Sequence, residues 1–182
     1  HNGEIVSADS RQVYKGLDIG SGKITEKEMG GIPHYMLDVA SPTRTYSVAQ
    51  FQKKATAYIA DILKRGKTPI ICGGTGFYID ALLYGSEFPK VKADPQLRKE
   101  LSKKTSEELF AILKKNDPQR AKTIDPHNKV RLIRALEIIE SLGKVPVAKK
   151  NTKYNIKWIY LDFPDEILRK RIHVRLLKRI KI

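Results

Sequence analysis

The run Thr68-Pro69-Ile70-Ile71-Cys72 passes directly into Gly73-Gly74-Thr75-Gly76, and then into the helix-prone stretch Phe77–Leu83. A compact apolar strand, a glycine turn and a helix in immediate succession leave few architectures open. Upstream, Glu4-Ile5-Val6-Ser7-Ala8 reads as a second short strand that delivers Asp9-Ser10-Arg11-Gln12 to its C-terminal end. Between the two, Ser47-Val48-Ala49-Gln50 has the spacing of a capping box, in which side chains satisfy the orphan amides at a helix start. Val48, Phe51, Ala55, Tyr58, Ile59, Ile62 and Leu63 then recur at helical spacing, and Gly66 offers a stop. Strand, helix, strand, glycine turn and helix in this order predict an α/β fold with a parallel sheet and crossover helices.

Past Pro89 the character changes. Residues 94 to about 143 carry no strand pattern and at least three helical ones. Asp94-Pro95 and Asp117-Pro118 each pair an N-cap with proline at the first helical position. Thr105-Ser106-Glu107-Glu108 repeats the capping-box spacing, and Asn128 can cap a helix that Gly143 ends. Lys157-Trp158-Ile159-Tyr160-Leu161-Asp162 predicts a buried strand returning to the sheet, followed by a helix from Asp165 with Leu168, Ile172 and Leu176 along one line. The predicted organisation is an α/β core of residues 1–90 and 151–182 interrupted by a helical insertion, 91–150, with the basic stretch 149–157 as a loose connection.

The chain's 35 Lys and Arg against 20 Asp and Glu give a net charge of +15, and their distribution is uneven. Residues 1–89 carry 10 basic and 9 acidic side chains, residues 90–150 carry 16 and 8, and residues 151–182 carry 9 and 3. A Lys-rich solvated surface is one reading. A phosphate-backbone footprint outside the first domain is the other, because Lys and Arg that neutralise phosphates release counterions. No window is apolar enough for a membrane span, and His1-Asn2-Gly3 leads into a strand rather than a signal peptide. The single Cys72 excludes a disulfide framework or a multi-Cys zinc site and fits a reducing cytoplasm.

Asp9 and Ser10 stand where ligands bind in open α/β sheets, beyond the carboxyl end of a strand. A carboxylate there can act as a general base, and Asp, Ser and Gln can read a nucleobase edge. An ordinary Asx turn is the other reading, and for a lone Asp-Ser pair the favoured one. The Gly73–Gly76 turn allows close backbone approach, but matches neither a Walker A loop nor a dinucleotide fingerprint. Arg131 and Arg134 are neighbours on one helix face near Lys129, either pairing with Glu137 or meeting phosphate. Arg171 and Arg175 stand one turn apart on the last helix, where a guanidinium could turn to a pyrophosphate. His1, His34, His127 and His173 show no metal-ligand spacing, and no metal site is read from the residues.

Taken together and in order, these segments resemble the tRNA dimethylallyltransferases. The resemblance is carried by Ser7-Ala8-Asp9-Ser10-Arg11-Gln12-Val13-Tyr14-Lys15-Gly16-Leu17-Asp18-Ile19-Gly20, by Gly31-Ile32-Pro33-His34 with Leu37-Asp38, and by Tyr46-Ser47-Val48-Ala49 followed by Phe51. Gly73-Gly74-Thr75-Gly76-Phe77-Tyr78 and Arg131-Leu132-Ile133-Arg134-Ala135-Leu136-Glu137 continue it, so that it runs from about Gly3 to Arg175.

The resemblance implies a P-loop-NTPase-like parallel sheet with flanking helices and a helical insertion domain. It implies transfer of a dimethylallyl group from dimethylallyl pyrophosphate to N6 of the adenine 3′ of a tRNA anticodon, with Mg²⁺, by a cytoplasmic monomer. Asp9 would be the general base, Thr75 would lie in the channel between the substrates, and Arg175 would stand near the pyrophosphate. Asp9, Ser10, Arg11 and Gln12 would contact tRNA, as would Val130, Arg131, Leu132, Ile133 and Arg134 from the insertion. Val130 stands where the family often has Gln. A Walker A loop is expected ahead of His1 and further chain after Leu176, so the 182 residues read as a piece that lacks the phosphate-gripping loop and is inactive alone. An RNA binder without catalysis and a P-loop kinase or transferase for a small nucleotide are the alternatives.

Overall fold

The computed structural model describes residues 2–85, 88–147, 152 and 154–180. The chain divides into two compact units, His1–Ser86 with Lys149–Ile182, and Glu87–Ala148.

The first unit is built on a parallel sheet in the order β2-β1-β3, from β1 (Gly3–Ser7), β2 (His34–Tyr35) and β3 (Thr68–Cys72). Ile5 stands opposite Ile70 and Ser7 opposite Cys72, so β1 and β3 end side by side. Helix α2 (Val48–Lys64) is the crossover between β2 and β3, and the reciprocal Ser47–Gln50 capping box opens it. Its Phe51, Ala55, Ile59 and Ile62 pack with Val6, Ala8 and Val13, and with Tyr78 and Leu82 of α3 (Gly76–Leu83), into one core. The Phe51 and Tyr78 rings stack with centroids 4.1 Å apart. Two elements lie outside the sequence expectation: β2, and the single turn α1 (Glu26–Met29) with its own Thr25–Glu28 capping box. Two and four residues are too few to display a period.

At the N-terminal end of β1 the buried Glu4 carboxylate gathers Arg65 (two bonds of 2.6 Å), Lys67 (2.6 Å) and the Tyr35 hydroxyl (2.8 Å). The Arg65 guanidinium and the Lys67 ammonium hold its carboxyl well below the usual carboxylate range. The cluster fastens β2 and the end of α2 to β1, at the pole opposite Asp9.

The predicted strand over 157–162 does not form. These residues lie outside regular structure, and Trp158, Ile159, Tyr160 and Leu161 are between 61% and 89% exposed. Helix α8 (Asp165–Ile180) begins where expected, yet Leu168, Ile172 and Leu176 along it remain exposed. Aromatic and β-branched residues favour a strand only through the neighbour they pair and pack against. Here β3 pairs with β1 and exposes Thr68, Ile70 and Cys72 on its other residues. The stretch 149–157 lies partly outside the described residues.

Among its described residues the regular elements of the second unit are all helices: α4 (Pro95–Leu101), α5 (Ser106–Asn116), α6 (Pro118–Ala121) and α7 (Lys129–Leu142). Asp94 and Asp117 cap helices with proline in the first turn, Thr105 and Glu108 form a capping box, and Gly143 closes α7 in the left-handed conformation. Leu101, Leu109, Leu113, Leu132 and Leu136 make the core. No helix among the described residues is long and apolar enough to cross a membrane.

Candidate functional site

Because β1 and β3 are parallel neighbours, their C-terminal ends deliver two loops to one place. The ladder continues past the strands, with Ala8 N–H donating to Cys72 O (2.8 Å) and Thr75 N–H to Ala8 O (3.1 Å). A Cβ on Gly73 would sit 2.4 Å from Ala8 O, so only glycine lets the turn fold against the end of β1. Thr75 is thereby set beside Ser10. Its hydroxyl accepts from Ser10 N–H (3.0 Å) and donates to Ser10 Oγ (3.2 Å). Although Thr75 is the N-cap of α3, its side chain makes no capping bond, being committed to Ser10 instead.

Asp9 Oδ1 accepts from the amides of Arg11 (2.7 Å) and Gln12 (3.2 Å), an Asx turn that fixes the carboxylate at the strand end. Turn and chemistry are compatible: the local bonds orient the group that a reaction would use. Tyr78 lies in the core within electrostatic reach of it. Burial pushes the Tyr78 phenol up to about 12, with Tyr14, Tyr46 and the Asp9 carboxylate adding to the effect. Arg11 is exposed, while Ser10, Gln12 and Thr75 are half-buried.

From Gln12 the chain runs into a loop closed by Lys23, a residue the sequence did not single out. Its side chain is 5% exposed, and the ammonium donates to Tyr14 O (2.8 Å), Asp18 Oδ1 (2.6 Å) and Asp38 Oδ1 (2.6 Å). Burial works against the charge, but the two carboxylates outweigh it and hold the pKa above the ordinary lysine value. The Gln12 side-chain amide reaches Ser21 O at 3.5 Å. Arg175 packs at the next residue: a Cβ on Gly22 would lie 3.8 Å from its guanidinium. Arg179, one turn further on α8, donates to Lys23 O and pairs with Glu28 at 3.5 Å. Asp9, Ser10, Gln12 and Thr75 thus share one site, and Arg175 sits on the loop that leaves it.

In the helical unit the five candidates of α7 separate by face. Val130 and Arg131 are exposed in the first turn, Leu132 is fully buried in the core, and Ile133 packs against it. The Leu132 side chain is therefore committed to the core of the helical unit. Arg134 turns inward, donating to Glu137 Oε2 (2.9 Å) and Val91 O (2.8 Å). Glu137 is buried and also receives Arg98 (2.7 and 2.8 Å) and Asp94 N–H (2.9 Å). Burial raises the Glu137 pKa, but the two arginines and the amide prevail and bring it down to about 2. The i,i+3 pair was legible in the sequence; Arg98 and the backbone of 91–94 were not.

Among the described residues no three His, Cys, Asp or Glu side chains group so as to hold a metal ion.

Residues 12–181 match the family profile described as IPP transferase. A tRNA dimethylallyltransferase of Bacillus licheniformis is 42% identical over 183 residues, covering 96% of this chain and 58% of that protein. One from Anoxybacillus flavithermus is 45% identical over 179 residues, with the same coverage of 96% and 58%. Among solved structures, the full-length tRNA isopentenylpyrophosphate transferase of Bacillus halodurans superposes with a TM-score of 0.64 at 39% identity, covering 99% of this chain and 58% of that one. A eukaryotic dimethylallyltransferase acting on tRNA superposes with a TM-score of 0.82 at 29% identity, covering 99% and 47%. The chain thus spans a little over half the length of the curated relatives it matches.

Proposed function

The chain belongs to the IPP transferase family, and from that premise we propose that it carries the nucleobase-facing part of a tRNA prenyltransferase. The reaction is transfer of a dimethylallyl group from its pyrophosphate to N6 of the adenine 3′-adjacent to the anticodon. The observation that carries this reading is the meeting of Asp9 and Ser10 with Thr75 at the paired ends of β1 and β3.

An exocyclic amine inside an anticodon loop must leave the stack to enter such a site, so base extrusion is part of the reading. Ser10, Gln12 and Arg11 offer donors and acceptors to the base edge and the adjoining backbone. The amine nitrogen attacks C1 of the dimethylallyl group as the C1–O bond breaks. Pyrophosphate leaves with the bonding pair, and the Asp9 carboxylate takes the N6 proton. Arg175, from its place over Gly22, would face the departing pyrophosphate with a bidentate fork. Arg131, exposed on α7, would add a phosphate contact from the helical unit.

The test is transfer of labelled dimethylallyl from its pyrophosphate to an unmodified anticodon stem-loop by the full-length protein, with Mg²⁺ present. Label in the RNA at that adenine is the expected result. Stem-loop binding without label would favour an RNA binder without catalysis, and the absence of both binding and label would sink the reading.

A further inference from the structure

We infer that Lys23 is a positioning residue for this transfer, its buried ammonium holding the loop that stands between the base-facing segment Asp9–Gln12 and Arg175. The inference rests on the proposed reaction. All three ammonium donors are used, on Tyr14 O, Asp18 and Asp38, which is the condition for keeping a lysine charge out of water. Two of these partners lie directly against the base-facing segment. Tyr14 is two residues beyond Gln12, and Asp38 donates its own N–H to Gln12 O (3.2 Å), followed by Ala40 N–H to Val13 O (2.9 Å). Asp38 does this with φ 53, and the buried Met36 beside it has φ 69, so two non-glycine residues are held left-handed. Such backbone persists where the surroundings over-determine it, and the Lys23 bond supplies that constraint.

On its other side Lys23 meets the last helix. Its carbonyl accepts from Arg179, its neighbour Gly22 faces Arg175, and Ser21 O receives the Gln12 amide. One residue therefore joins the segment that would read the base to the arginine that would face pyrophosphate. A purely stabilising role fits the partners less well. Asp18 and Asp38 are 63% and 47% exposed, so water would satisfy both carboxylates without a buried lysine.

The test compares Lys23→Met and Lys23→Arg with Arg65→Met, which breaks the Glu4 cluster at the opposite pole of β1. Single-turnover transfer at saturating stem-loop should fall on the order of 100-fold in Lys23→Met, as expected for misplaced reacting groups, with stem-loop Kd little changed. Lys23→Arg should recover part of the rate. Arg65→Met should lower the melting temperature and leave the rate per folded molecule unchanged. Without RNA, amide exchange at Asp38 and Ala40 should quicken about tenfold in Lys23→Met, because the loop opens locally. An unchanged rate or unchanged exchange in Lys23→Met overturns the role, as does an equal loss of rate in Arg65→Met. If the parent protein transfers nothing, the functional reading fails and the role falls with it. If the parent transfers and Lys23→Met keeps pace, only the role of Lys23 fails.

Discussion

At the scale of single residues, Asp9 offers a clean separation of structure from chemistry. Its two hydrogen bonds run through Oδ1, and an asparagine Oδ1 accepts from the Arg11 and Gln12 amides equally well. Asp9→Asn should therefore keep the turn and stem-loop affinity while single-turnover transfer drops by about 10²- to 10⁴-fold, the usual worth of a general base. A rate within a few-fold of the parent would remove Asp9 from that role. The position of Asp9 was readable because a strand end and an Asx turn are local features. Lys23 was not, since its partners Asp18 and Asp38 lie five and fifteen residues away and its burial arises only when the loop closes.

At the scale of elements, α7 shows how one helix divides its residues between core, latch and surface. Arg131 faces solvent, whereas Arg134 bridges Glu137 and Val91 O. The two arginines should thus behave differently. Arg131→Ala should weaken stem-loop binding at unchanged melting temperature and reduce the salt slope by about one phosphate contact. Arg134→Ala should lower the melting temperature, because it strips one partner from a buried carboxylate. Equal losses of affinity at unchanged stability would place both on the RNA. The helix itself was legible, as were its Asn128 cap and Gly143 stop, because capping acts within four residues. Residues 157–162 were misread for the complementary reason: their strand preference depends on a paired neighbour, which no local pattern supplies.

At the scale of the whole molecule, each unit has among its described residues a buried carboxylate fastened by cations, Glu4 in the α/β unit and Glu137 in the helical one. Both have folded-state pKa values below the ordinary 4.5, so their contributions are complete above it and are lost as pH falls. For Glu137 the loss runs from about 4.5 down to about 2, and for Glu4 it extends lower. Urea midpoints followed by circular dichroism should therefore fall between pH 5 and pH 3. Glu137→Ala should lower the urea midpoint at neutral pH, since the Asp94 amide, Arg98 and Arg134 lose their common acceptor, and should flatten the acid response of the helical unit. A midpoint insensitive to acid in the parent protein would count against both clusters. Sequence alone determined the α/β class, the helices other than α1 with their caps, the Gly73–Gly76 turn and the placing of Asp9 at a strand end. All of these follow from periodicity and hydrogen bonding over a few residues. Tertiary structure decided which groups meet: Thr75 with Ser10 across 65 residues, Lys23 with its two carboxylates, Arg134 turned inward, and the 157–162 run left outside the sheet. Those outcomes depend on competition among distant partners for burial and pairing, which no short stretch of sequence contains.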